Sequence, residues 1–532
     1  MINKSFREKR LRLLAVIGRP IFFSRSPELY QAAFRCLKIE ADYIRIASNS
    51  LEDAWQTIIE AGVSGFNLTS PYKEKILPYL DELDEQARAV AAVNMVLRQG
   101  NKFKGYNTDI DGFNFALRAA GLRLDNQRLL VLGAGGASRA VLLALKQAGV
   151  NSLWVANRDE NKGKEQAQKF GAGFLPSAEI PKKIACFDLV ISCLPRTEYL
   201  LPSSHLPAHV RLCEAAYNHY SWRPVQGNRN HRNNKNNKNN NENNKNNRNK
   251  LSLRAQTKKV EKLQFNSGPG EGQQLSKLLS RDERAERQAD LNSIMSRQEA
   301  DWGRLAALSQ NQEFGMNPPE FCFGLEWLLG QGVANLRLFT GKELSEQEVA
   351  GLRKAVYGPR SRRANIALIG FMGCGKTSLG RLLAARLNFG FIDTDELIEK
   401  HAGKPIASIF AEEGEAVFRQ LEASLISELL KNSRQTVLAL GGGAVKEERV
   451  REALRSRCHV VWVWSPLATS LNRTTGSNRP LLALNNSPSA IEKLWQERQQ
   501  LYAGCCDLLV SNRDGKLDET ARLIHEEINF SL

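Results

Sequence analysis

No stretch of the chain approaches the ~18 consecutive apolar residues that a membrane-spanning helix needs, so no membrane partner is expected. Its nine cysteines are scattered, with no C-x-x-C and no cysteine–histidine spacing suited to zinc. That excludes a zinc ribbon or a disulfide framework and leaves reduced thiols; the adjacent Cys505 and Cys506 read as packing. Histidine is scarce, seven in all, and none sits in a context expected of a general acid or base. The basic N-terminus (Arg7, Lys9, Arg10, Arg12) leads into Leu13–Gly18, a strand-length run without a signal peptide's longer apolar stretch and cleavage site. A cytoplasmic enzyme is the expectation.

Acidic residues are the minority, 57 against 74 basic, for a net charge of +17. A nucleic-acid partner is nevertheless not expected. The segment Arg229–Lys262 alone holds eleven basic and two acidic residues, and asparagine dominates it. Such a composition cannot bury a core and reads as a solvated insertion with no assigned partner. The rest is ordinary: 42% apolar and 8% aromatic residues, in 532 residues, describe several globular domains.

What is present begins with Gly370-Phe371-Met372-Gly373-Cys374-Gly375-Lys376-Thr377, which fits the phosphate-loop pattern G-x-x-x-x-G-K-[ST]. The strand-like Asn365–Ile369 precedes it and the helix-like Leu379–Leu387 follows. In that setting Gly373, Cys374, Gly375, Lys376, Thr377 and Ser378 cradle the phosphates of a nucleoside triphosphate; Lys376 neutralises charge and Thr377 holds Mg²⁺. Downstream, Asp393 and Asp395 lie two apart at the end of a second strand, so an extended backbone turns both the same way. One would reach a Mg²⁺ shell and the other a substrate hydroxyl. Gly441-Gly442-Gly443 follows the apolar Val437–Leu440 and allows close backbone approach to a small polar substrate.

With Phe418-Arg419, Glu422, Asn478-Arg479-Pro480-Leu481-Leu482 and Arg498 before Tyr502, these marks make residues 365 to about 530 resemble shikimate kinase along essentially its whole length. The resemblance implies phosphorylation of the shikimate 3-hydroxyl by MgATP. It assigns Lys376 and Asp395 to catalysis, Asp395 to the shikimate hydroxyls, and Arg419 and Arg498 to its carboxylate. Gly442 and Gly443 contribute backbone contacts, Arg479 a lid over ATP, and Thr377 and Asp393 the metal site. Arginine suits a carboxylate because its planar fork engages both oxygens.

From Leu13 to about Ala216, strand-like pieces (Leu14–Ile17, Tyr43–Ile46, Gly65–Leu68, Leu129–Leu132, Leu153–Ala156, Leu189–Ser192) alternate with amphipathic stretches such as Leu51–Ala61 and Ala137–Ala148. Leu129–Ala140 reads as strand, glycine turn and helix. Gly133, Ala134, Gly135, Gly136 and Ala137 fit a dinucleotide turn, with Ser138 in place of its third small residue. The strand Leu153–Ala156 ends in Asn157-Arg158, where an arginine favours the 2′-phosphate of NADP(H) over NAD; Asp159 counts the other way. Ketone reduction also needs a proton donor, lysine or histidine, with a carboxylate to orient it. Composition does not choose one.

Four motifs do. Ser24-Arg25-Ser26-Pro27, Gly65-Phe66-Asn67-Leu68-Thr69-Ser70-Pro71-Tyr72-Lys73, Ala92-Val93-Asn94 and Asn107-Thr108-Asp109 make residues 13 to 225 resemble shikimate dehydrogenase. The resemblance implies Lys73 and Asp109 as the catalytic pair, with Ser24, Ser26, Thr69, Asn94, Asp109, Tyr217 and Gln331 on the substrate. The sequence departs from that family in three places: an insertion between Tyr217 and Phe321, Leu194-Pro195-Arg196-Thr197 in place of a small glycine-containing turn, and Trp327 in place of a methionine beside the nicotinamide. The last two would narrow the cofactor pocket. The insertion does not prevent Gln331 from returning, since loop closure costs only about 0.6 kcal/mol per doubling of length.

The expected fold is α/β: a three-layer substrate domain and an NADP-binding Rossmann domain, linked to a P-loop kinase domain with a parallel sheet. Expected boundaries are 12–116 (completed by 318–341), 117–225, 226–298 for the insertion with its polar helix-prone segment, 342–363 for a C-terminal helix and linker, and 364–532. The linker is expected only to keep the two sites near each other. A bifunctional enzyme of aromatic amino-acid biosynthesis is the leading reading. The alternatives are an active kinase beside a weak or non-catalytic dehydrogenase half, and a metabolite-sensing regulator, which would show damaged catalytic positions.

Overall fold

The computed structural model describes residues 12–195, 200–201, 206–217, 322–358, 363–474 and 487–528. The expectations for the 226–298 insertion, for Arg196 and Thr197, and for the segment around Arg479 lie outside them.

Six strands form the N-terminal sheet: β1 (Arg12–Gly18), β2 (Ala41–Ala47), β3 (Val63–Leu68), β4 (Glu82–Leu83), β5 (Met95–Gln99) and β6 (Lys102–Tyr106). β1 lies between β2 and β3, parallel to both, while β5 is antiparallel to β3 and β6. The unbroken apolar run of β1 reflects cover on both faces. Leu13, Ala15 and Ile17 point into one cluster with Ile58 of the helix Leu51–Glu60. Leu14 and Val16 point into the other, with Leu29 of the helix Ser26–Leu37 and Leu329 of the helix Phe323–Thr340.

A second, wholly parallel sheet has the order β11 (Arg211–Glu214), β10 (Leu189–Ser192), β7 (Leu129–Leu132), β8 (Leu153–Ala156), β9 (Gly173–Phe174). Strand order reverses between β7 and β10. The glycine turn after β7 therefore opens at the topological switch point, where doubly wound sheets bind ligands.

The C-terminal strands are β12 (Asn365–Ile369), β13 (Gly390–Asp393), β14 (Thr436–Ala439), β15 (Cys458–Trp464) and β16 (Leu508–Ser511), parallel, in the order β13-β14-β12-β15-β16. β16 does not end the sheet. It pairs in parallel with β2, Leu508 opposite Arg45 and Val510 opposite Ala47, giving one mixed sheet of eleven strands. Both apolar clusters cross this seam. One includes Ile46, Leu509, Trp462 and Leu438, and the other Tyr43, Val510, Val461 and Leu368. The two halves are thus joined by more than the linker: each covers the other's open strand edge, a row of N–H and C=O groups that otherwise seeks a partner.

Two local expectations also change. The helix after the phosphate loop spans Lys376–Leu387, starting inside the motif, with Gly375 at φ 95° as its N-cap. Asp393 and Asp395 do not share an extended segment. Asp393 ends β13 and caps the helix Thr394–Ala402, its carboxylate accepting the Asp395 N–H. A capping aspartate ends the strand because its oxygen satisfies a helix N–H that has no intrahelical partner.

Candidate active sites

The first site gathers at the C-terminal ends of β1 and β3. Asp109, fully buried at the start of the helix Asp109–Ala119, accepts from Lys73 Nζ at 2.9 and 2.7 Å, from Asn94 Nδ2 at 3.1 Å and from Gln331 Nε2 at 2.8 Å. A buried carboxylate needs such donors, because an unpaired charge away from water is costly. Lys73 sits on the turn after β3, and Asn94 is held in turn, its Oδ1 accepting the Thr108 N–H at 2.9 Å. Gln331 arrives on the helix Phe323–Thr340, whose chain returns from beyond the insertion.

Ser24 and Ser26 are both buried and share a 3.2 Å hydroxyl–hydroxyl hydrogen bond, while Thr69 N–H donates to Ile17 O. Tyr217 lies close enough to Arg25 and Tyr43 to act on them electrostatically. Tyr43 donates to Asn67 at 2.7 Å, and Asn67 donates to the Asn94 carbonyl, so a hydrogen-bonded chain runs behind the site.

The dinucleotide turn faces this group. Gly133 has φ +111°, and a methyl on Gly136 would lie 2.8 Å from Ala92 Cβ and 3.8 Å from Lys73 Cβ. Side-chain-free backbone there lets a ligand on the turn approach Lys73. Arg139 fixes the spacing by donating to Val90 O and Ala91 O. Ser138 fits the close packing: its hydroxyl donates to Gly135 O at 2.8 Å and accepts from Gln166 at 3.1 Å. Asp159 is occupied as the N-cap of the helix Glu160–Phe170, accepting the Lys162 N–H.

The second site surrounds the phosphate loop at the end of β12, a switch point flanked by β14 and β15. Gly373 has φ +77°, and Lys376 folds over the loop, donating to Gly370 O and Phe371 O at 2.9 and 3.1 Å. Thr377 Oγ1 donates to Asp393 Oδ2 at 2.7 Å, placing a hydroxyl and a carboxylate side by side. Among the described residues no cluster of three or more His, Cys, Asp or Glu side chains is placed to hold a metal. Mg²⁺ bound with a nucleotide needs only one or two protein oxygens, so this pair fits it.

Each glycine of the triplet leaves room for a charged group. A methyl on Gly441 would lie 2.6 Å from Asp395 Oδ1 and 2.8 Å from Glu422 Oε1, one on Gly442 3.2 Å from Arg498 Nη1, and one on Gly443 2.3 Å from Arg419 Nη2. Arg498 is 2% exposed, and its Nε and Nη2 have no hydrogen-bond partner among the described residues. Buried donors left open in this way mark a place for an anion. Arg473, by contrast, spends its guanidinium on Asn512 O and Arg513 O.

Comparison with known proteins accords with this division. The family model for the shikimate dehydrogenase substrate binding domain matches residues 16–96, that for shikimate / quinate 5-dehydrogenase 114–215, and that for shikimate kinase 372–529. The shikimate dehydrogenase (NADP(+)) of Staphylococcus epidermidis is 35% identical over 213 residues, 39% of this chain and 78% of that protein. The chain belongs to the shikimate dehydrogenase family and carries a shikimate kinase domain. The shikimate dehydrogenase (NADP(+)) of Symbiobacterium thermophilum is 33% identical over 238 residues, 41% of this chain and 81% of that protein. A shikimate kinase from Acinetobacter baumannii, solved in complex with shikimate, is 37% identical, covering 31% of this chain and 93% of its own, with a TM-score of 0.31.

Two polar residues of these domains had no role in the sequence reading. Asn335, one helical turn beyond Gln331, accepts from Thr108 and donates to Tyr30, tying the returning helix to the dehydrogenase site. Its signal is a polar side chain in register with Gln331 on an otherwise apolar helix face. Glu422 was one of the kinase marks but had no assigned chemistry. It pairs with Arg419, and burial pushes its carboxyl up to about 7, with Arg419 opposing. Trp327 is buried between Phe113 and Phe323, its indole packed on Gly112.

Proposed function

We propose that the chain reduces 3-dehydroshikimate to shikimate with NADPH and phosphorylates the 3-hydroxyl of shikimate with MgATP. The observation that carries the reading is the pair of separate polar constellations. Lys73, Asn94 and Gln331 converge on Asp109, and Asp395, Arg419 and Arg498 converge on the glycine triplet beside a phosphate loop.

In the reduction, Ser24, Ser26, Thr69, Asn94, Tyr217 and Gln331 hold the substrate, and Lys73 Nζ gives a proton to the carbonyl oxygen. Asp109 orients the ammonium toward that oxygen and stabilises its charge. NADPH, held by Gly133–Ala137 with Asn157 and Arg158 at the ribose phosphate, supplies the hydride. Arg158 rather than Asp159 meets that phosphate because the Asp159 carboxylate already caps a helix.

In the phosphorylation, Arg419 and Arg498 grip the shikimate carboxylate and Gly442 and Gly443 bring backbone against the ring. Asp395 holds the hydroxyls and takes the proton of the attacking one. Lys376 neutralises the phosphates, which rest on the N–H groups of Gly373–Ser378. Mg²⁺, held by Thr377 and Asp393, supplies further charge neutralisation. Phosphoryl transfer needs this placement and charge compensation more than covalent help.

Assaying both reactions on one preparation tests the proposal. Lys73→Ala should remove NADPH oxidation by 3-dehydroshikimate and spare shikimate phosphorylation; Lys376→Ala should do the reverse. If either variant keeps its own reaction, the assignment of that site is wrong.

A further inference from the structure

The loop that carries Ser24 and Ser26 belongs to the dehydrogenase half, but the groups that fix it come largely from the kinase half. Glu527, 1% exposed in the helix Leu517–Ile528, accepts through a single oxygen the N–H groups of Ile21 at 2.7 Å and Phe22 at 2.9 Å. Those residues open the turn that Ser24 closes, its N–H donating to Ile21 O at 3.0 Å. The Phe22 ring stands edge-on to His459 of β15, with centroids 5.2 Å apart. Beside Glu527, Glu526 pairs with Arg19 at 2.8 Å. From β2, Arg45 donates to Ser24 O at 2.6 Å through one nitrogen and reaches Asp507 O, next to β16, at 3.4 Å through another.

Two amides aimed at one buried carboxylate form charge-assisted hydrogen bonds, stronger than neutral ones and strict about direction. Without the carboxylate both N–H groups would be buried and unpaired, so the turn would move to find other partners. Hydroxyls that bind substrate work only when their supporting groups hold them to within about half an ångström.

We infer that Glu527 is a positioning residue for the dehydrogenase reaction: from within the kinase half it locks the Ile21–Ser24 turn that presents Ser24 and Ser26 to the substrate. The inference rests on the proposed reading of those serines as substrate ligands. Glu527 makes no contact with Lys73 or Asp109, so its effect falls on substrate binding and not on proton or hydride transfer.

The test uses the full-length chain with Glu527→Ala, Glu527→Gln and Ser24→Ala, measuring both reactions. Glu527→Ala should raise the KM for 3-dehydroshikimate about tenfold. Its kcat and its KM for NADPH should stay within about twofold, and the kinase constants for shikimate and ATP should not change. Glu527→Gln, which keeps an acceptor oxygen, should fall between wild type and Ala, and it serves if the alanine variant does not fold. An unchanged KM in folded Glu527 variants overturns the inference, as does a parallel fall of both activities, which would mark a general structural role. Ser24→Ala separates the two levels. If it leaves KM unchanged, the serine reading itself fails; if it raises KM while the Glu527 variants do not, only the positioning role fails.

Discussion

Asp109 and Glu422 are both buried carboxylates beside a cation, and their surroundings give them opposite work. Asp109 accepts from three side chains, so its charge is compensated and it can hold Lys73 at a fixed angle. Asp109→Asn keeps the shape but removes the charge. Dehydrogenase kcat should fall roughly 10²- to 10⁴-fold, with phosphorylation untouched, as steady-state assays of both reactions would show. Glu422 has one oxygen on Arg419 and the other without a partner among the described residues, and burial outweighs the arginine to lift its carboxyl to about 7 from an ordinary 4.5. The folded protein therefore holds a proton there that the unfolded chain has already released. The stability from that proton is fully present below about pH 4.5 and is lost as pH rises through 7. Glu422→Gln cannot titrate. Relative to wild type it should gain on the order of 2 kcal/mol of stability between pH 5 and pH 8, read from urea midpoints at several pH values. A pH-independent difference between the two proteins would contradict the argument.

At the scale of elements, the glycine triplet shows why some of the site could be read from the sequence and some could not. Three glycines after an apolar strand announce close approach, but not of what. In the fold, Gly443 has an ordinary φ of −104°, so alanine would fit its backbone; what it lacks is room, because Arg419 occupies the space. Gly443→Ala should push the guanidinium aside and raise the kinase KM for shikimate about tenfold or more, with the KM for ATP little changed. The strands β1, β2, β3, β7, β8 and β10 were legible because their apolar runs are short and bounded. The phosphate loop was legible because its spacing carries its own chemistry. The turn of Asp395 into a helix was not, since two aspartates beside a threonine read equally as strand end or helix cap. The partners of Asn335 and Glu527 were hidden for a different reason: each acts on residues hundreds of positions away, and periodicity along one element says nothing about partners across the fold.

The same blindness applied to the whole molecule, where the pairing of β2 with β16 joins the two halves beyond their linker. Edge strands that match a foreign edge leave no pattern of their own, and Tyr43–Ile46 would look alike at a sheet's border or in its middle. Cut apart at the linker, each half would expose one strand edge and one side of the two apolar clusters that cross the seam. Exposed parallel edges with apolar neighbours associate. The separately produced halves, residues 1–357 and 363–532, should therefore self-associate or precipitate alone and form a one-to-one complex when mixed, as size-exclusion chromatography with light scattering would detect. The dehydrogenase half alone should also bind 3-dehydroshikimate more weakly, and added kinase half should restore that binding, because Glu527 and Asp507 return with it. A dehydrogenase half that is monodisperse, fully active and indifferent to the kinase half would mean that the shared sheet contributes contact without stability, and the tether would then be sufficient.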